Sequence, residues 1–357
     1  MTDTHLAPLP PERLLETPNV LRELIKAHRH LAELKGIAKT IPNEGILIST
    51  LALQEAQSSS EIENIITTQD ALYKYQIQES VSDPVTKEVA NYAKALHLGY
   101  RRIKDQEALT LNSILAIQEA LENNKAGFRK TPGTVLKNQQ TGDVVFAPPS
   151  PTKIPEYMSE LEKFINGEAQ LDPLVKMALV HHQFETIHPF YDGNGRTGRI
   201  INILCLVQAG LLDTPTLYLS RYINQTKHEY YTKLQTVRDT GEWEEWILYM
   251  LKGVTVTAKH TTTLVESIRD LLLSQKTTIR KQHKFYSQDL INNLFRHPYT
   301  KVAFLEHDIG VSRATATRYL DALAEGGTLD KQKLGRENYY INTQLIELLF
   351  NMSELKE

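Results

Sequence analysis

Apolar residues recur at three- and four-residue spacing along nearly the whole chain, and that periodicity restricts it to a mainly α architecture. The pattern predicts helices over about 17–37, 45–78, 86–104, 108–122, 155–166, 172–188, 195–211, 226–239 and 242–275. Residues 1–12 are proline-rich and read as extended, and Pro84 marks a break. At 357 residues the chain exceeds one ordinary core, so two or three domains are expected.

The helical pattern lapses twice. Between Gly127 and Pro151, GTVLK and DVVFA read as two short β-segments around the turn NQQTG, closed by Pro148-Pro149. From about 283, helical SQDLINNLF leads into KVAFLEHDIGVSRATATRYLDALAEGG, and the β-like runs LDKQKL and NYYIN flank Gly335-Arg336. Helix, turn, helix and two-stranded ribbon is the order of a winged helix-turn-helix. Ser312 suits the N-cap of its second helix and Gly326-Gly327 its stop. The polar stretch KTTIRKQHK places a boundary near 276–285, which gives regions 1–105, 106–275 and 283–357.

Composition narrows the class. Hydrophobic content of 41% and charged content of 23% fit a soluble globular protein, and a net charge of -3 argues against a wholly basic nucleic-acid packaging protein. The single cysteine, Cys205, allows no internal disulfide and fits a reducing compartment. The N-terminus lacks the basic start and apolar core of a secretory signal. The greasy run Ile200–Leu212 falls short of the roughly 20 residues that span a bilayer. A cytoplasmic protein without membrane partners is the expectation.

The segment HPFYDGNGRTGR, 188–199, is the richest in chemistry. Met177, Val180, Phe184 and Ile187 place a helix before it, which Pro189 ends at His188. Gly193 and Gly195 permit a tight loop with positive φ, and a helix resumes near Arg196. Such a loop presents backbone N–H groups and a helix N-terminus with two arginines, an anion site suited to a polyphosphate. A neutral His188 imidazole can take the proton of an attacking hydroxyl. Asp192 is a hard oxygen ligand suited to Mg²⁺, and Arg196 and Arg199 share one helix face for gripping phosphates. Two other readings are weaker. Gly193-x-Gly195-x-x-Gly198 matches the dinucleotide fingerprint, but a helix precedes it where a strand is required. His181, His182, Glu185 and His188 have metal-like spacing without the HExxH order, so a core or supporting role is favoured for His181 and His182.

HPFYDGNGRTGR resembles the signature of the Fic family, with every signature position met. The similarity extends from the N-terminal helices to about residue 275, and a winged-helix tail is a known companion. The resemblance implies a Fic-type helical core and transfer of AMP from Mg·ATP to a Ser, Thr or Tyr hydroxyl of a target protein. It implies that His188 is the general base and that Asp192 holds Mg²⁺. It assigns the anion hole to the amides of Gly193, Asn194 and Gly195, and the outer phosphates to Arg196 and Arg199, with Thr197 and Gly198 completing the ATP-binding run.

Ser59-Ser60-Glu61-Ile62-Glu63-Asn64 resembles the family's inhibitory helix motif. On that resemblance Glu63, with Ser59 and Asn64, forms a lock in which the carboxylate pairs with Arg199 and takes the place of the γ-phosphate. The alternative is a capping box of Ser60 with Glu63, which the helical LALQEAQ upstream weakens. Removal of AMP by the same glutamate is left open. The 133–147 hairpin resembles the family's flap, able to pair with an extended target segment. Tyr230 and Tyr231 are candidates for the adenine pocket by analogy, with core packing the equal alternative.

Residues 276–342 carry 11 Lys or Arg against 7 Asp or Glu, compatible with DNA contact through Arg313 and Arg318. The resemblance also implies a homodimer as a common assembly. The main rival function is a nucleotide-sensing transcriptional regulator acting through the winged helix. The kinase-like branch of the superfamily carries a lysine where Gly195 stands here, whereas transfer of UMP or phosphocholine is not separated from AMP transfer by the loop alone.

Overall fold

The computed structural model describes residues 6–77, 83–137, 142–168, 170–334 and 337–351. Five helices lead: α1 (Pro18–Ala38), α2 (Glu44–Ile62), α3 (Gln69–Ile77), α4 (Pro84–Gln106) and α5 (Leu111–Glu122). A hairpin follows, β1 (Leu136–Lys137) with β2 (Val144–Phe146). Then come α6 (Ile154–Asn166), α7 (Pro173–Ile187), α8 (Asn194–Gln208), α9 (Leu219–Gln225), α10 (Lys227–Thr240) and α11 (Glu244–Gln282). The chain continues with α12 (Gln288–Arg296), β3 (Tyr299–Thr300), α13 (Val302–Ile309), α14 (Arg313–Glu325), β4 (Asp330–Leu334), β5 (Glu337–Ile341) and α15 (Thr343–Asn351). None of these helices is long and apolar enough to cross a membrane.

Helix starts follow local chemistry. Thr17, Asp83 and Asp172 each cap a helix that opens on proline, where a missing N–H costs nothing. Nearly all of α7 and α8 is buried, polar side chains such as His181, Glu185, Arg196 and Arg199 included. They pack on each other, with α4 and α5 against α8, α6 and α11 against α7, and α1 along α11. The core therefore centres on the two helices that flank the 188–193 loop.

Four elements differ from the periodicity. The helix expected over 45–78 breaks after Ile62, because Asn64 takes a left-handed φ of 61°. Asn64 N–H bonds to Glu61 O and Ile65 N–H to Ser60 O, a Schellman ending that favours Asn or Gly at that position. Ser60 thus lies in a last helical turn, not before a first one, and no capping box forms with Glu63. α11 continues seven residues past the expected end at 275, because Leu272, Gln275 and Ile279 are buried at helical spacing. Short α9 and α15 are not among the expected helices, although Asn342 caps α15 by accepting from Leu345 N–H.

In the last region the expected ribbon is present, and β3 joins it to give an antiparallel sheet of order β3-β5-β4. Ser312 accepts from Thr315 N–H at the start of α14, and Gly327 takes a φ of 73° just after it ends. The predicted turns at 138–141 and Gly335-Arg336 lie outside the described residues. This region rests on the N-terminal helices. Gln54 Nε2 donates to Leu349 O at 2.9 Å, Ser49 Oγ to Arg296 O at 3.1 Å, and Tyr299 Oη to Asp70 at 2.6 Å.

Candidate active site

The loop begins where α7 stops. His188 takes φ 48°, ψ 60°, and its N–H still reaches Phe184 O at 3.0 Å. Pro189 explains the stop, since its ring disfavours α geometry in the residue before it. Gly193, at φ 73°, turns the chain into α8. Asn194 stitches the loop together: its Oδ1 accepts from Phe190 N–H at 2.8 Å, and its Nδ2 donates to Phe190 O at 2.9 Å. The first bond of the α8 ladder runs from Thr197 N–H to Gly193 O. The N–H groups of Asn194, Gly195 and Arg196 stand ahead of that ladder, at the positive end of the helix. Gly193 N–H is taken by Asp192 Oδ1 at 2.7 Å.

Gly195 does not have the positive φ expected of it and is an ordinary helical residue. Glycine leaves room there for two side-chain ends, because a Cβ would strike Glu63 Oε1 and sit 2.9 Å from Arg199 Nη1. Gly198 faces the other way. A Cβ on it would lie 2.9 Å from Glu185 Oε1 and 3.1 Å from Phe184 Cδ1, so it lets α8 approach α7. Thr197 is wholly buried. Gly198→Ala is therefore expected to cost about 1–3 kcal/mol by overpacking a rigid contact, read as a lower urea midpoint with an unchanged slope.

The two arginines are held by different helices, although both are almost fully buried. Arg196 Nη1 donates to Glu88 of α4 at 2.8 Å, and its Nη2 to Glu122 of α5 at 2.9 Å. Arg199 turns to the end of α2. Its Nε donates to Ser59 Oγ and its Nη2 to Ser59 O, both at 2.8 Å, and Nη2 also meets Glu63 Oε1 at 2.9 Å. Helical spacing brought them to one stretch of α8, but neighbouring carboxylates part their side chains. Burial works to raise the Glu63 pKa, yet Arg199, with Arg196 and Lys227, outweighs it and holds the carboxyl below its ordinary range. A carboxylate thus already lies against Gly195 at the α8 N-terminus, paired with a buried guanidinium.

His188 is kept neutral. Burial, then the charges of Arg238 and Arg129, push its pKa down to about 4. Arg238 donates to Glu185 O at 3.1 Å and to Thr186 Oγ1 at 3.2 Å, and its guanidinium lies 4.1 Å from the Phe146 ring centre at the end of β2. Asp192 extends into solvent, its side chain 79% exposed. Glu88, Glu122, Arg129 and Arg238 escaped sequence reasoning, because isolated charged residues carry no local signal.

Tyr230 and Tyr231 separate. Tyr230 is core, 1% exposed, bonded to His181 Nε2 at 2.8 Å and packed beside Trp246 and Tyr249. Tyr231 is 43% exposed and meets the Tyr230 ring edge-on. His181 stacks on Trp246 and His182 packs against Trp243, and burial lowers both pKa values to about 3. Among the described residues no three His, Cys, Asp or Glu side chains gather as a metal-binding group.

The domain order has counterparts among known proteins. Residues 21–101 match the Fic/DOC family N-terminal domain, 108–206 the Fic/DOC family domain, and 271–345 the C-terminal domain of SoFic-like protein adenylyltransferases. A probable protein adenylyltransferase of Aquifex aeolicus is 29% identical over 177 residues, 49% of this chain and 53% of that protein. The protein adenylyltransferase fic-1 of Caenorhabditis elegans is 32% identical over 109 residues, 30% of this chain and 20% of that protein. The chain thus spans about half the length of the first relative and about a fifth of the second. A solved Fic family protein from Desulfovibrio desulfuricans shares the fold at a TM-score of 0.59 and 20% identity, over 93% of this chain and 98% of that one. A Fic domain protein from Bacteroides thetaiotaomicron does so at 0.52 and 18%, over 71% and 97%. With its N-terminal and central domains both matched in order, and this loop joining the two central helices, the chain belongs to the Fic/DOC family.

Proposed function

We propose that this chain is a protein adenylyltransferase that moves AMP from ATP to a Ser, Thr or Tyr hydroxyl of a protein. The observation that carries the reading is a neutral imidazole at His188 a few residues ahead of an N–H cradle, with buried Arg199 beside it. In this reading the triphosphate lies along the start of α8, where free N–H groups and the helix end favour anions. The acceptor hydroxyl attacks the α-phosphorus, its proton passes to His188, and pyrophosphate leaves as the α–β bridging P–O bond breaks. Arg199 faces the outer phosphates, and exposed Tyr231 is the better candidate to stack on adenine.

Asp192 fits a Mg²⁺ site of the kind completed by phosphate oxygens and water, since it is exposed and, among the described residues, no three His, Cys, Asp or Glu side chains gather into a protein cage. The ion would supply charge neutralisation at the phosphates. The chain's own residues do the rest: the cradle orients, His188 takes the proton, and buried arginines balance charge.

Glu63 is proposed as an inhibitory lock, supported by its pairing with Arg199 and its place against Gly195. The test is to give the protein ATP labelled at the α-phosphorus, and in parallel at the γ-phosphorus. Label on protein from the α position alone supports AMP transfer. Label from the γ position alone points to a kinase-like reaction and overturns the reading.

Region 283–357 is proposed as a winged helix, on its helix-turn-helix and three-stranded order. Arg313 and Arg318 are exposed on α14, which suits DNA contact. Arg318→Ala is expected to weaken binding to duplex DNA and flatten its salt dependence by about one unit, measured by fluorescence anisotropy across a salt series. The homodimer rests on the family resemblance and is read by light scattering.

A further inference from the structure

The hairpin and the base loop come from separate stretches of sequence, yet one buried side chain joins them. Arg129 is 2% exposed. Its Nε donates to His188 O at 2.8 Å and its Nη2 to Pro149 O at 2.6 Å, just beyond β2. The backbone supports the same join: Arg129 N–H donates to Pro189 O at 2.9 Å, and Lys130 N–H to Tyr191 Oη at 2.8 Å. The Phe128 and Phe190 rings pack at 5.6 Å between centres. Residues 128–131 therefore lie along 188–191 as a second strand of contacts, and the guanidinium reaches past them to the exit of the hairpin.

From this we infer that Arg129 is a positioning residue which sets the hairpin at a fixed distance from His188, and so aligns an acceptor chain paired to the hairpin with the base. The inference rests on the AMP-transfer reading. A planar guanidinium suits the task because its donors have fixed separation and direction, whereas a lysine ammonium reaches one carbonyl without fixing the other. Among the described residues its hydrogen-bond partners are carbonyl oxygens, and no carboxylate pairs with its charge. That charge also bears on His188, together with Arg238 from α10, Glu63 just past the end of α2 and the Glu185 backbone of α7. Arg129 and Arg238 thus stand at two points of the hairpin's return path, Pro149 and Phe146, with His188 among their neighbours.

The experiment uses the full chain with Glu63→Gly, followed by its own labelling from α-labelled ATP. Arg129→Lys and Arg129→Gln are added to that background, and labelling rate, ATP affinity and pH profile are measured for each. Misplacing the acceptor by about an ångström is expected to slow labelling about 100-fold in both variants, with ATP affinity within about threefold of the parent. Removing a positive charge near His188 favours the imidazolium, so Arg129→Gln moves the acid limb of the profile upward, towards the ordinary histidine range. Arg129→Lys keeps the charge and leaves the limb in place. The inference is overturned if Arg129→Lys restores the full rate, or if ATP affinity falls in parallel with labelling, which would make Arg129 a general support of the fold. Should Arg129→Gln not fold, the Lys variant decides by its labelling rate set against its ATP affinity. A Glu63→Gly parent that never labels from α-labelled ATP would instead bring down the AMP-transfer reading.

Discussion

His188→Ala is expected to lower AMP transfer by about 100- to 10,000-fold while leaving the fold and ATP affinity nearly unchanged. The fold survives because the loop is held by backbone and by other side chains. His188 N–H bonds to Phe184 O, its carbonyl accepts from Arg129, and Asn194 closes the turn on Phe190. None of these bonds uses the imidazole. What is lost is the proton acceptor, and the native ring fills that role over a wide range because its pKa lies at about 4. As pH falls through that value the base becomes charged and cannot accept, so the acid limb of kcat/KM is expected near pH 4 rather than near the ordinary histidine value of about 6.5. Transfer at the native rate by His188→Ala, or an acid limb near 6.5, would count against the role.

Glu63→Gly is expected to raise transfer about 10- to 100-fold and to lower stability at the same time. The Glu63 carboxylate lies against Gly195 and is charge-paired with Arg199, in the space where phosphates would meet the start of α8. A hydrogen bond to a charged partner is worth about 1.5–3 kcal/mol, and each step of about 1.4 kcal/mol is tenfold in a competing equilibrium. The same pair ties the end of α2 to α8, so its loss leaves Arg199, among the described residues, with Ser59 as its hydrogen-bond partner and should lower the melting temperature by a few degrees. Glycine suits the site otherwise, since Glu63 has an unremarkable φ of -89°. The opposed movement is the diagnostic result. A variant that is less stable and no more active would show that Glu63 braces the fold without guarding the cradle.

Much of this site is legible in the sequence itself. The helix–loop–helix around 188–199, the stop at His188 before Pro189, the turn at Gly193 and the cap at Ser312 all follow from contacts within a few residues. The Glu63–Arg199 pairing follows from a resemblance in motif, not from local chemistry. Its local cause lies in the fold: Asn64 accepts the left-handed turn that ends α2 directly in front of α8. Without that turn the pattern runs on as one long helix.

Short-range spacing of apolar, proline, glycine and capping residues was enough to establish a mainly helical chain and the outline of the loop between α7 and α8, since backbone sterics and helix periodicity act over a few positions. Tertiary packing alone decided where each charge points. It sent Arg196 to Glu88 and Glu122, kept Arg199 for Glu63, buried Tyr230 while leaving Tyr231 open, and brought Arg129 and Arg238 to His188. Those partners lie tens to more than a hundred residues apart, and desolvation with charge pairing, which selects among them, exists only once the helices have closed on one another.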